Sequence, residues 1–401
     1  MRVLFTLLPA TGSLQPLLPV AASLQERGHE VAFVSSATMA ADMEERGFAF
    51  FPAGLDWHAS NPDYVQTLCL AAGGLSFPAL VGSERFRWVT DNLFIGGAAR
   101  QLLPDLLRIV RDWCPNLIVR ESLEFAGCVA AEKLGIAHAS VAAGADCALD
   151  KREDLASPLA ALRHDAGLPV DTDRGMPYRY LHLCFAPPSF HGPDARFPST
   201  ARFFQHEITR RPGGHQAVES APGARPTVLV SLGTVFHRTP GLIETIVEAL
   251  RSEPIELQVA VGFDQDPSRL GSQPANVHIK SWLPVDQVLR NSALFITHGG
   301  FNSVTEALTI GVPMVVIPIA GDQPYSARQC SALGVAEVVN PDERTPERIR
   351  AAARSVLGDR RYEAKASGVR DEIAALPLAA GATTMLKDLA AATGGGVPGA
   401  V

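Results

Sequence analysis

Trp282–Gln323 reads WLPVDQVLRNSALFITHGGFNSVTEALTIGVPMVVIPIAGDQ. Inside it, the apolar run Leu294–Thr297 has the length of a buried strand, and His298-Gly299-Gly300 ends that run. Asn302–Ile310 then carries apolar residues at helical spacing, and Met314–Pro318 is a second apolar run. Strand, helix and strand in this order imply parallel strands joined by a crossover helix. Two glycines at the first junction let the backbone approach a ligand closely. The helix that opens at Asn302 directs its first amides at the place where an anion would sit.

The same alternation runs outward in both directions. Upstream lie strand Thr227–Ser231, helix Leu242–Arg251 and strand Glu256–Val261. In the first half, Val3–Leu8, Glu30–Ser35, Leu117–Val119 and Ala137–Ala142 read as strands, with helices at Leu17–Arg27 and Phe125–Leu134. Gly28 stands where a helix C-terminal glycine is expected. Between the halves, ITRRPGGHQAVESAPGAR (208–225) is rich in Pro, Gly and charge and has no periodicity. With 401 residues the chain is long enough for two cores. The expectation is therefore an α/β protein with two Rossmann-like domains facing across a cleft. Its divisions are a domain over 1–207, a linker over 208–225, a second domain over 226–372, a helical segment over 373–392 packing back on the first domain, and a disordered tail over 393–401. Residues 55–105 mix Trp57, Phe77, Phe86, Trp88 and Phe94 with Gly and Pro. They read either as loops lining an apolar pocket or as a helical region with a small core of its own.

Composition narrows the function. A net charge of −7, with Lys and Arg scattered, argues against nucleic-acid and anionic-membrane partners. The six cysteines form no CxxC pair or other metal-ligand spacing and read as reduced thiols. The opening apolar run is too short for a signal peptide, and Leu308–Ala320 is too short to span a bilayer, so a cytoplasmic protein without integral membrane association is expected.

Ser231-Leu232-Gly233-Thr234 follows a strand directly, and its small residues suit a phosphate as well as they suit a simple turn. Together with W…HGG-x-NS-x-x-E-A-L…GVP…P…DQ, it resembles the nucleotide-sugar signature of the UGT-type inverting glycosyltransferases, a GT-B family that includes bacterial macrolide and plant secondary-metabolite enzymes. The resemblance extends to Gly12-x-x-x-Pro16, Gly28–Val31, Leu162–Pro169 and Glu372–Pro377. It implies that Trp282 stacks on uracil while the Leu283 backbone reads the base edge. Thr234, His298, Gly300, Asn302 and Ser303 would surround the diphosphate, Glu306 would accept from the ribose hydroxyls, and Asp322 and Gln323 would bind the transferred sugar.

The implied activity is metal-independent, inverting transfer of a glucose-like sugar from a UDP-sugar, as co-substrate and with no other cofactor, to a small lipophilic acceptor. A UDP-sugar epimerase on the same fold and a sugar-nucleotide-binding helper without catalysis are the alternatives. Two positions depart from the pattern. Val285 stands where the plant signature has Gln, and Ser13 stands where many members carry the His that serves as general base. A serine hydroxyl is too weak a base to replace it unaided. Glu121, expected just after the fourth strand, is the leading substitute, acting directly or through Ser13 or a water. Glu121 paired with Arg120 as a plain ion pair is the alternative reading. Trp57, His58, Phe86, Trp88 and Asp146 are the candidate acceptor contacts, and His58, Asp146 and Asp150 are further base candidates. An acceptor that ionises by itself remains a third solution.

Overall fold

The computed structural model describes residues 1–80, 82–144, 156–208 and 225–393. The chain divides into two compact units. One comprises Met1–Phe185, Ala195–Glu207 and Pro377–Val401, the other Ala186–Asp194 and Ile208–Leu376. Apart from its two ends, the expected linker 208–225 lies outside the described residues. So do Asp146, Cys147, Asp150 and the tail beyond Thr393.

The first unit holds seven parallel strands: β1 (Arg2–Thr6), β2 (Glu30–Ser35), β3 (Ala49–Pro52), β4 (Leu117–Glu121), β5 (Ala137–Val141), β6 (Leu181–Cys184) and β7 (Ala201–Phe203). Their order is β3-β2-β1-β4-β5-β6-β7. Val3, Phe5, Phe33 and Val119 enter one core cluster, while Leu4, Ala32, Val34 and Ile118 enter another. Both faces of the sheet are covered, which is why these strands read as unbroken apolar runs. The helix Ala379–Thr393 adds Ala379, Ala382, Leu386 and Ala390 to the first cluster.

The second unit repeats the plan with β8 (Thr227–Ser231), β9 (Glu256–Ala260), β10 (Val277–Lys280), β11 (Leu294–Thr297), β12 (Met314–Val316) and β13 (Ala336–Val338). All are parallel, in the order β10-β9-β8-β11-β12-β13. Chain order therefore reverses between β1 and β4 in one sheet and between β8 and β11 in the other. Crevices at the carboxyl ends of such strand pairs are where ligands bind in open parallel sheets.

Three features differ from the sequence expectation. Arg120 and Glu121 lie inside β4, fully buried, rather than in a loop after it. The guanidinium of Arg120 donates to the carbonyls of Glu121, Ser122, Glu124 and Pro177, a backbone cradle rather than a contact with one side chain alone. Ala186–Asp194 belongs to the second unit, where the Ser189 hydroxyl donates to Glu372 at 2.5 Å.

Residues 55–105 are largely helical and pack a core of their own. Leu8, Trp57, Leu68 and Leu93 are buried there, with Phe77, Trp88 and Phe94 against them. Val89–Ala99 is wound as a π-helix, an uncommon wide form that recurs at functional sites. Among the described residues one helical run, Arg360–Ala392, is long and apolar enough in composition to cross a membrane. It consists of two helices, Arg360–Ala375 and Ala379–Thr393, and the second buries its apolar face in the core described above.

Candidate active site

In the second unit, the loops that leave β8 and β11 meet. The His298 ring fills the space beside two glycines. A β-carbon on Gly233 would lie 2.6 Å from its Cε1, and one on Gly300 would lie 2.5 Å from its Nε2. Gly299 has φ +82, and a β-carbon there would strike Val316 at 2.6 Å. These positions are glycine because the backbone must turn with positive φ or pass hard against the imidazole.

His298 donates to the Ser231 carbonyl, and burial lowers its pKa to about 4, so the ring is neutral at pH 7. Gly300 is the N-cap of the helix Phe301–Ile310, and no side chain caps that terminus. A helix start whose N-cap offers no side chain is an arrangement that can receive an anion. Thr234 is exposed, and Asn302 and Ser303 are half-buried.

Beside this junction, Trp282 is exposed (45%) just beyond the end of β10, while Leu283 is buried. Glu306 sits one turn into the helix and is half-buried. Burial, with Asp286 adding like-charge repulsion, raises its pKa to about 7. Gln323 is buried, and its Oε1 accepts the amides of Ile319 (2.7 Å) and Ala320 (2.9 Å). Any contact from Gln323 to a sugar would thus come from Nε2. Asp322 is half-buried at the N-cap of the next helix. The donor-site candidates Gly300, Asn302, Ser303, Glu306, Thr234, Trp282, Leu283, His298, Asp322 and Gln323 all belong to this one unit.

One network here escaped the sequence reading. His237 is buried, and its Nε2 lies 2.6 Å from Asp264, which also accepts from Arg238. Burial pushes the Asp264 pKa up, but these hydrogen bonds outweigh it and hold the carboxyl well below the usual range. The network ties the loop after β8 to the loop after β9. The only sequence signal for it is the pair of polar clusters His237-Arg238 and Asp264-Gln265.

The first unit gathers its polar residues at the β1/β4 reversal. Ser13, half-buried, lies in the short helix Thr11–Leu14. Glu121 is buried, and its Oε1 accepts the Leu123 amide at 2.6 Å. A second carboxylate, Glu124, was not anticipated. It accepts from the Thr6 hydroxyl at 2.5 Å and from the amides of Ala126 and Gly127. Burial raises its pKa, against the pull of those bonds and of Arg120. A β-carbon on Gly127 would stand 2.5 Å from the Thr6 Oγ1, so this cradle requires glycine there. Glu124 lines a pocket of about 20 Å³, room for one water, together with Leu7, Pro9, Ser36, Trp57 and Leu102.

The acceptor candidates are distributed unevenly. Trp57 is buried and stacked on Tyr64 at 6.0 Å, and Trp88 packs edge-on against Phe77 at 5.2 Å. Phe86 is half-buried. His58 is half-buried, with Nδ1 2.7 Å from the Ser60 hydroxyl.

Residues 22–160 and 250–389 match the N-terminal and C-terminal domains of the erythromycin biosynthesis protein CIII-like family, which together take in more than half of the chain. The chain is 26% identical over 378 residues to the NDP-glycosyltransferase YjiC of Bacillus subtilis, covering 91% of each. It is 26% identical to the oleandomycin glycosyltransferase of Streptomyces antibioticus, covering 91% of this chain and 85% of that one. The solved structure of the kitacinnamycin glycotransferase matches 97% of this chain and 98% of its own with a TM-score of 0.77 at 25% identity. With both domains matched and two parallel-sheet units in place, the chain belongs to the erythromycin biosynthesis protein CIII-like family and is a glycosyltransferase of the GT-B fold.

Proposed function

We propose that this enzyme transfers a glucose-like sugar from a UDP-sugar to a small lipophilic natural product, with inversion and without a metal ion. The second unit holds the donor and the first unit holds the acceptor. The observation that carries this reading is the junction of His298, Gly233 and Gly300 with the uncapped helix Phe301–Ile310. Displacement at the anomeric carbon makes UDP the leaving group, and negative charge grows on its outer phosphate. Neutral donors already aimed at that charge stabilise it without reorganising. His298, Thr234, Ser303 and the helix amides take that task, with Asn302 beside them.

Trp282 offers its exposed face to uracil, and the Leu283 backbone reads the base edge. Glu306 accepts from the ribose hydroxyls, and Asp322 and Gln323 hold the sugar. The names of the relatives support a nucleotide-sugar donor and a macrolide-like acceptor: one is an NDP-glycosyltransferase, the other an oleandomycin glycosyltransferase. A single displacement gives inversion because no second nucleophile intervenes.

His298→Ala tests the carrying observation. Turnover should fall on the order of 10²-fold or more, as when an oxyanion donor is removed. A variant that turns over at the wild-type rate would contradict the assignment.

A further inference from the structure

Three loops of the second unit interlock through two imidazoles. The His298 ring, on the loop after β11, takes the space that a side chain at Gly233 would fill. The His237 ring, on the loop after β8, does the same at Gly262 on the loop after β9. A β-carbon on Gly262, where φ is +113, would lie 2.1 Å from the His237 Cδ2. Phe236, between Gly233 and His237 in the chain, sets its ring 6.0 Å from that of His298, within the range of an aromatic pair.

His237 is buried, and its Nε2–H donates to the Asp264 Oδ1 at 2.6 Å. Nδ1 is buried as well and has no hydrogen-bond partner among the described residues. Asp264 is thus the polar tie that orients the ring, and its other oxygen accepts from Arg238. The far side of the tie is itself anchored. The Gly262 amide donates to the Ser281 carbonyl, and the Gln265 amide to the Gly262 carbonyl, both at 3.0 Å.

Leu232–Arg238 lies outside every strand and helix, and it carries Thr234 at an exposed position. A side chain on such a segment meets a ligand in one geometry only if its backbone is already held. Ordering that backbone at the moment of binding would draw on the affinity.

Resting on the donor-site reading above, we propose that His237 and Asp264 are positioning residues for the diphosphate. They act through Thr234 and His298, not by contact with the ligand. By fixing the loop after β8 they set Thr234, and the Phe236 ring beside His298, in place before the UDP-sugar arrives. A pair that served folding alone would support the base, the ribose and the diphosphate equally.

Titration calorimetry with UDP and with uridine, which lacks the diphosphate, separates the two roles. His237→Phe keeps a ring beside Gly262 but donates nothing to Asp264. Its UDP affinity should fall about tenfold, near the worth of one hydrogen bond to a charged group, while uridine affinity stays within about twofold of wild type. His237→Gln returns a donor amide to Asp264 and should recover most of the loss. Three results overturn the proposal: equal losses for UDP and uridine, UDP affinity within about twofold of wild type in His237→Phe, or a Gln variant as weak as the Phe variant. Should His237→Phe not fold, Asp264→Ala, which leaves the ring in place, is read against UDP and uridine in the same way. Wild-type protein that binds UDP no tighter than uridine defeats the donor-site reading, and this proposal with it.

Discussion

Gly233 and His298 occupy the same volume: a β-carbon on Gly233 would lie 2.6 Å from the His298 Cε1 and 2.9 Å from its Nε2. Gly233 also has φ +72, where any L side chain is strained. The two loops therefore fit together only if one of them gives up its side chain. Gly233→Ala should displace the imidazole and weaken UDP binding by about tenfold or more, roughly the worth of one strong hydrogen bond. Titration calorimetry on the folded variant measures this, and unchanged affinity would show that His298 does not contact the diphosphate.

Glu306 carries the clearest pH signature. Its pKa in the fold is about 7, against an ordinary value of 4.5. The folded state therefore holds a proton that the unfolded chain releases, and stability falls as pH rises between those two values. Glu306→Gln should flatten that slope in a melting-temperature series. Ribose hydroxyls that donate to Glu306 favour its ionised form, so UDP binding near pH 7 should release protons. Calorimetry in buffers of different ionisation enthalpy detects the release, and proton uptake would exclude a carboxylate contact.

The same residue bears on donor choice. Thymidine diphosphate has no 2′-hydroxyl, so it offers Glu306 one donor fewer than UDP. A buried acceptor left without its partner costs roughly 1–3 kcal/mol. Competition binding should accordingly favour UDP over dTDP by that margin. Tighter binding of dTDP would remove Glu306 from the ribose contact.

Much of this arrangement can be read from the residues alone. β1, β2, β8 and β11 are buried on both faces, so their apolar runs announce them. β10 and β13 are the outermost strands of their sheet, and β10 alternates buried Val277 with exposed His278 and Lys280, which is weak signal for a short segment. β6 and β7 follow a stretch without periodicity and are only four and three residues long, which leaves little pattern to read.

The donor junction is legible because its glycines, helix start and histidine are neighbours in sequence. The polar residues of the first unit are not. Thr6 and Glu124 are 118 positions apart, and Ala59 reaches Pro9 across 50, so only the folded sheet brings them together. The setting of Glu121 is not legible in sequence because β4 runs two residues further than its apolar core, carrying Arg120 and Glu121 into the interior. The cost of burying Arg120 is offset by four backbone carbonyls that no local pattern reveals.

The central claim is that neutral protein donors in the second unit take up the charge of the departing diphosphate. The most direct measurement is the rate of sugar transfer from UDP-glucose to a lipophilic alcohol or phenol, followed by product mass, in buffer containing EDTA. With the phosphate charge assigned to His298, Thr234, Ser303 and the amides of the helix Phe301–Ile310, the rate should be the same with and without chelator. Loss of product in EDTA, restored by added Mg²⁺, would contradict the account.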